Sequence, residues 1–482
     1  MNLIRLGGDF GRAVSPACAS TADRPKPLRT PRLCVPTINT VSYTIQSTRY
    51  GADLEFNCFY HFIHYFTLLI KLIVWKTVTL SSGESRPGSQ IREVASLKIY
   101  LCSALMDLVV CFFVFAVLYG AGSRGMPDRE CFWLGAIFPL AYMLSSLIYA
   151  KILNRKNSLP LLVAGTILTV ASGIVGMVSV SFPYLLGSLI ALGAFLSMFF
   201  NALQSFIRNR TLPGNLTRSI ALYTASWSMG CSLGYVFSGC LYSFGLITMS
   251  AMASATGLSI LMMIYLLTRE PEITVSSDEH VEEGPEGSRP VNHSYVVIGW
   301  IMIFTVMFTQ RAVATFFPII SAQQGISSGI TSLPLFLNYF VQGVFGYWMW
   351  RHRKELYRRK SIMISHIAAI LIFLSIWYYP TFPVCLAGLC LLGIYAGFAY
   401  FCAVYYASNS GNRTFNIAIN EFIVGLGSFA GIFCCEWWMR KSGSPSGMYI
   451  LCALVTALSL LFQLMFAKGP LSNFAGKKIM EE

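Results

Sequence analysis

Charge is the scarcest feature of this sequence. Only 12% of its 482 residues are Asp, Glu, Lys or Arg, about half the share found in a soluble domain. That excludes an ordinary soluble fold, as do a hydrophobic content of 55% and a mean hydropathy of +0.60. The 14 cysteines contain no CxxC. Most fall in apolar runs (Cys102, Cys111, Cys231, Cys240, Cys385, Cys390, Cys402, Cys452), where they read as small residues packing between helices and not as a disulfide framework. No HExxH occurs, no nucleophile elbow on a strand-to-helix turn is expected, and of the 6 histidines only His366 lies inside the regular apolar pattern. Enzyme chemistry, a metal centre and a bound cofactor are therefore not expected. Nor is a repeated ring of filter residues present, which argues against a channel.

What is present is a succession of apolar runs of about 20 residues, each long enough to cross the roughly 30 Å hydrocarbon core. Twelve spans are expected, near 96–121, 131–153, 159–180, 183–206, 218–242, 245–267, 295–319, 331–350, 361–379, 382–406, 414–438 and 446–467. The fold class is all-α, a polytopic membrane protein with six-helix bundles at 95–268 and 294–468. Between them, the acidic, Gly/Pro-rich stretch 269–293 reads as a flexible cytoplasmic linker. Residues 1–94 read as an extension, mostly disordered, with an interfacial helix or extra span at 57–75; a cytoplasmic tail occupies 469–482.

The net charge of +14 lies in loops, so it reports topology and not nucleic-acid binding. Lys151, Arg155 and Lys156 follow span two, Arg208 and Arg210 follow span four, and Arg351, Arg353, Lys354, Arg358, Arg359 and Lys360 follow span eight. The alternate loops are mostly short and uncharged. The positive-inside rule then places both ends of the twelve-span unit in the cytoplasm, in a multi-pass protein of the cell membrane.

The halves repeat. Arg413 follows Arg218 by 195 residues, as Gly425 follows Gly230 and Pro334 follows Pro139; Pro383 follows Pro183 by 200, as Gly393 follows Gly193. On the shorter spacing, Ser226 stands where the second half has Glu421. A parallel repeat of this kind places a solute site near the midplane, where the halves meet.

Six plus six spans, a central acidic linker and basic loops after spans two and eight resemble the major facilitator superfamily, over about residues 95–468. The family's loop signature after span two, Gly-x-x-x-Asp-Arg-x-Gly-Arg-Arg, is matched by Ala150-Lys-Ile-Leu-Asn154-Arg155-Lys-Asn-Ser, which keeps Arg155. The partner stretch after span eight runs from Gly346 through Trp350, Arg351 and His352 to Lys354; it keeps Gly346 and Arg351 but has Trp350 in place of the acid. In the family that acid meets a helix N-terminus and a neighbouring arginine as an inner gate. Both acids are absent here, so such an electrostatic latch is not expected. In span five, Gly230, Gly234 and Gly239 resemble the glycine signature of the superfamily's drug–proton antiporters, with Tyr235 in place of proline; their spacing also suits plain helix packing.

The resemblance implies that spans one, four, seven and ten surround a central cavity, flanked by two, five, eight and eleven, with the others outside. The polar residues agree. Span one has Ser103, Asp107 and Cys111 on one face; span four has Asn201 and Gln204; span seven has Thr305, Thr309 and Arg311; span eight has Asn338 and Gln342; span ten has Tyr395 and Tyr400; span eleven has Asn420 and Glu421. A charge at the centre of a lipid-phase helix costs about 2.5–3.5 kcal/mol on insertion scales, so Asp107, Arg311 and Glu421 face protein or water. Asp107 and Arg311 read as a solute-binding and proton-coupling pair, or as a structural ion pair fastening the halves. Glu421 reads as a solute ligand or inner gate, or, with Asn420, as a hydrogen-bonding group between spans.

The expected function is secondary transport of a small organic solute by alternating access, with or against protons. A polar or anionic metabolite is favoured over export of a hydrophobic drug, and a non-transporting sensor on the same scaffold is a further alternative. Partners are then the solute, protons and the lipid bilayer, with the protein acting as a monomer.

Overall fold

The computed structural model describes residues 87–153, 157–210, 216–269, 293–408 and 413–468. Its helices are α1 (Pro87–Ser123), α2 (Asp128–Ile152), α3 (Ser158–Val178), α4 (Phe182–Arg210), α5 (Leu216–Leu241), α6 (Leu246–Thr268), α7 (His293–Gln323), α8 (Ser328–Met349), α9 (Arg359–Tyr378), α10 (Phe382–Ser408), α11 (Arg413–Ser442) and α12 (Gly447–Lys468). Short 3-10 segments lie at Tyr242–Phe244 and Trp350–Tyr357. These long helices answer the expected spans one for one. The segment at 57–75, the linker over 270–292, the tail after 468, and Asn154 and Arg155 lie outside the described residues.

Ten of these helices are long and apolar enough to cross a membrane. The other two, α5 and α8, are comparably long but more polar, and their packing explains why. They lie against each other, and Thr224, Ser228 and Ser232 of α5 are buried, as are Thr331, Ser332, Asn338 and Gln342 of α8. Ser232 Oγ donates to the Phe336 carbonyl at 3.1 Å and Ser328 Oγ to the Gly239 carbonyl at 2.7 Å. Small and hydroxylated residues let membrane helices approach closely and bond across the contact. At the other extreme, only 28% of the apolar stretch of α6 and of α9 is buried, against 78% for α1 and 72% for α7. This puts α6 and α9 at the periphery and α1 and α7 at the centre.

Turns and crossings repeat with a definite register. The α1–α2 turn closes by Gly125 N–H to Gly122 (3.0 Å) and Met126 N–H to Ala121 (3.1 Å); the α7–α8 turn closes by Gly325 N–H to Ala322 (3.0 Å) and Ile326 N–H to Ser321 (2.9 Å). Both glycines have positive φ, 64° and 74°, the left-handed geometry that this closure demands and glycine supplies without a steric penalty. A Cβ on Gly193 would lie 2.4 Å from the Phe138 carbonyl oxygen, and one on Gly393 would lie 2.4 Å from that of Asn338. The same crossing therefore recurs 200 residues later.

Along α5 and α11 the register differs. Gly230 and Gly234 press on the Ala104 and Leu108 carbonyls, while Gly427 and Gly431 press on those of Phe304 and Phe308. The offset of α1 and α7 is 200, but that of α5 and α11 is 197, because α10 is two residues shorter than α4 and the connection after it is one residue shorter. The 195-residue pairs expected from sequence are therefore not equivalent positions. Gly230 answers to Gly427, not Gly425; Pro139 and Pro334 sit at different levels; and the counterpart of Glu421 is Thr224, not Ser226.

The letters Gly-x-Ser-x-Gly do occur, at Gly230–Gly234 and Gly325–Gly329. The first lies inside α5 and the second in the α7–α8 turn. Neither follows a strand, so neither forms a nucleophile elbow.

Candidate functional site

A cavity lies between the halves, and it is walled mostly by residues spaced one helical turn apart. Phe138 and Tyr142 come from α2, Leu196 and Phe200 from α4, Tyr223 and Trp227 from α5, Met307 and Arg311 from α7, and Glu421, Val424, Gly425 and Ser428 from α11. Asp107 of α1 and Tyr400 of α10 complete the wall with Pro139. Spacing of i, i+4 puts both members of a pair on one helix face. The space open to the centre of a water molecule is about 60 Å³, several times the ~10–15 Å³ that one water requires. Four of the residues expected to bind solute are thus brought together: Asp107, Arg311, Tyr400 and Glu421.

Asp107 is 6% exposed and its Oδ2 has no hydrogen-bond partner. Arg311 is partly exposed where it meets the cavity. Among the described residues no ion pair joins the two; the ion pairs there are Arg358 with Glu355 and Arg440 with Glu436. The repeat gives the reason. With α1 and α7 related by 200 residues, Asp107 lies at the level of Met307, and Arg311 is one helical turn, about 6 Å, further along. The direct salt bridge that the sequence allowed is not made, although the two charges are near enough to act on each other, and both line the cavity. Beside them the Trp227 ring packs on Tyr400 across the halves, with centroids 4.5 Å apart, and Trp227 Nε1 is buried without a partner.

Glu421 is engaged on both oxygens. Tyr142 Oη donates to its Oε2 at 2.6 Å and Gln204 Nε2 to its Oε1 at 2.8 Å, while Gln204 also reaches Tyr223 Oη at 3.2 Å. Hydrogen bonds to an ionised carboxylate are about twice as strong as neutral ones, so this cluster ties α11 to α2, α4 and α5. Of the sequence alternatives for Glu421, bonding between helices is realised together with a place in the cavity wall. Its neighbour Asn420 is buried, with Oδ1 unpartnered.

Other expected residues are elsewhere. Asn201 turns back on its own helix, donating from Nδ2 to the Ser197 carbonyl at 2.8 Å. Asn338 and Gln342 do not line the central cavity. Gln310 Nε2 donates to Asn338 Oδ1 and Gln342 Oε1, both at 2.6 Å, and Asn338 Nδ2 donates to the Leu389 carbonyl at 2.7 Å. Asn338 and Tyr395 line a separate space of about 20 Å³ within the second half, where the Tyr395 ring meets His366 edge-on at 5.1 Å. The physical reason is the α8–α10 crossing at Gly393, which turns the polar face of α8 toward α7 and α10.

Of the gate residues, Gly346 packs on α5, where a Cβ would lie 2.8 Å from Thr224 Cγ2. Arg351 is exposed, its guanidinium 5.7 Å from the Trp350 ring centroid. The sequence reading missed that Arg218 of α5 also covers Trp350, at 5.3 Å. A cation–π contact between the halves thus occupies the place where the family has its acid. It also missed Tyr142, Tyr223, Trp227 and Gln310. The signal that could have found three of these is the i, i+4 pairing of Phe138 with Tyr142 and of Tyr223 with Trp227.

The sequence profile of the Major Facilitator Superfamily matches residues 99–432. The chain belongs to the major facilitator superfamily. It is accordingly a multi-pass membrane protein of a transporter family. No curated protein matches it in sequence. In fold this superfamily member is similar to the human organic anion transporter MFSD10 (TETRAN), with a TM-score of 0.57 and 15% identity over 79% of this chain and 100% of the other. It is similar to a D-xylose-proton symporter, at 0.57 and 17% over 77% and 97%. A bacterial homolog of the human lysosomal transporter Spinster, inward-facing and occupied, gives 0.53 and 14% over 81% and 99%. At these identities the likeness is one of fold.

Proposed function

We propose that this protein is a secondary transporter of a small organic solute, a polar or anionic metabolite, moved by alternating access and coupled to protons. The observation that carries the reading is the central cavity, in which Asp107 of one half and Arg311 of the other face the same space without pairing. A guanidinium left without a carboxylate partner offers a site for an acidic group. Asp107, buried with one oxygen unpartnered, is placed to carry a proton. The Glu421 cluster lies toward the starts of α5 and α11, the end that carries Arg218 and that the loop charges assign to the cytoplasm, where it is placed to act as an inner gate. Aromatic walls on α2, α4, α5 and α10 add a place for an apolar body. Two fold neighbours, an organic anion transporter and a D-xylose-proton symporter, are in keeping with this assignment.

A thermal-shift screen of purified protein against a metabolite library identifies the solute, because a ligand that binds only the folded state stabilises it. In proteoliposomes Asp107→Asn then abolishes proton-driven transport and spares solute exchange. Proton-driven transport unchanged in that variant removes the coupling role. No stabilising small molecule, with a protein partner recovered instead, favours a sensor on the transporter scaffold.

A further inference from the structure

The charges of the cavity restrict the solute more narrowly than its polarity does. Arg311 has no ion-pair partner among the described residues, and Asp107 keeps a buried oxygen without a donor. Glu421, the third charged residue of the wall, already accepts from Tyr142 and Gln204 on its two oxygens. Arg311, which also meets Cys111, and Asp107, which also meets Cys231, therefore face one space without a salt bridge between them. A solute carrying only an acid satisfies Arg311 and leaves the Asp107 oxygen without a donor. One carrying only an amine does the reverse. Each leaves one charged group of the cavity unmet, in a site largely removed from water, which is the costly outcome. The rest of the wall is largely aromatic, with Phe138, Phe200 and Trp227 on the first half and Tyr400 on the second.

We infer that the solute is a zwitterion of zero net charge, its acidic group on Arg311 and its ammonium group on Asp107, with a planar apolar body against the Trp227–Tyr400 pair. The inference rests on the transport reading for its setting and deepens it to a substrate class. The ammonium group and a transported proton compete for the same Asp107 oxygen, so solute and proton move in opposite directions.

The test is binding to full-length purified protein, followed by thermal shift and by isothermal titration. The probes are L-phenylalanine, phenethylamine (the same body without the acid), 3-phenylpropionate (the body without the amine) and D-xylose. Phenylalanine is expected to bind at least about tenfold more tightly than either single-charge analogue, because each analogue strands one charge. Asp107→Asn should erase the preference for phenylalanine over 3-phenylpropionate, and Arg311→Gln the preference over phenethylamine. Such a change of preference reads the contact itself and differs from the uniform loss that misfolding gives; the unliganded melting temperature of each variant is checked alongside. The inference is overturned if 3-phenylpropionate or D-xylose binds as tightly as phenylalanine, or if no probe binds. Phenylalanine binding without counterflow of any solute in proteoliposomes removes the transport reading and leaves the zwitterion site standing.

Discussion

The Tyr142 hydroxyl of α2 donates a 2.6 Å hydrogen bond to Glu421 Oε2 of α11, tying one half of the molecule to the other beside the cavity. With Gln204 on the second carboxylate oxygen, this carboxylate is held by donors that must let go when the halves separate. The bond is therefore one of the contacts that hold the two halves together.

Tyr142→Phe removes that donor and keeps the ring. A hydrogen bond to a charged group contributes about 1.5–3 kcal/mol. Amides of α2 and α11 flanking the contact are expected to exchange hydrogen roughly ten- to a hundredfold faster, provided they exchange through separation of the halves. Unchanged exchange would mean that the halves are held by other contacts.

Trp350→Leu removes the aromatic face under Arg218, whereas Trp350→Phe keeps a weaker one. Cation–π contacts contribute about 0.5–2 kcal/mol. Protection at the start of α5 should fall in the order Trp, Phe, Leu, read by hydrogen exchange. Equal protection in all three would show that Arg218 is held by its other neighbours alone.

Gly393→Ala forces a Cβ to within 2.4 Å of the Asn338 carbonyl, while a Cβ on Gly187 meets nothing within 4 Å. Overpacking typically costs about 1–3 kcal/mol. The first variant should melt lower in detergent and the second close to wild type. Similar melting of the two would contradict the close α8–α10 crossing.

Asn338→Leu breaks the amide chain within the second half and leaves Gln310 short of an acceptor. Stability should fall by about 1–3 kcal/mol, with solute affinity changed by less than about twofold, since Asn338 does not line the central cavity. A large affinity loss at unchanged stability would place Asn338 in the solute site after all.

The helices were legible because crossing a membrane demands long apolar runs, and their ends are marked by loop charge and glycine. Asp107, Arg311 and Glu421 were legible for the same reason, since charge within such a run is costly. That Asn338, Gln342 and Tyr395 lie away from the central cavity was not legible, because polarity alone does not say which way a helix is turned. That depends on the crossing at Gly393, a tertiary contact. Tyr142 and Trp227 were hidden in a sequence that is 14% aromatic, where one more ring carries little information. The register of the repeat failed at α5 and α11 because matches between single glycines and prolines cannot locate a three-residue difference spread over the end of a helix and the connection after it.

The turns at Gly125 and Gly325 set α1 and α7 in a 200-residue register, which makes Asp107 the counterpart of Met307 and Arg311 the counterpart of Cys111. Each half therefore spends its charge at a different rung of the same ladder. Two identical halves would hold a bound molecule equally well in either of two orientations related by their axis. This pair does not, so a solute of the class proposed above, with a head and a tail, would lie one way round between the halves.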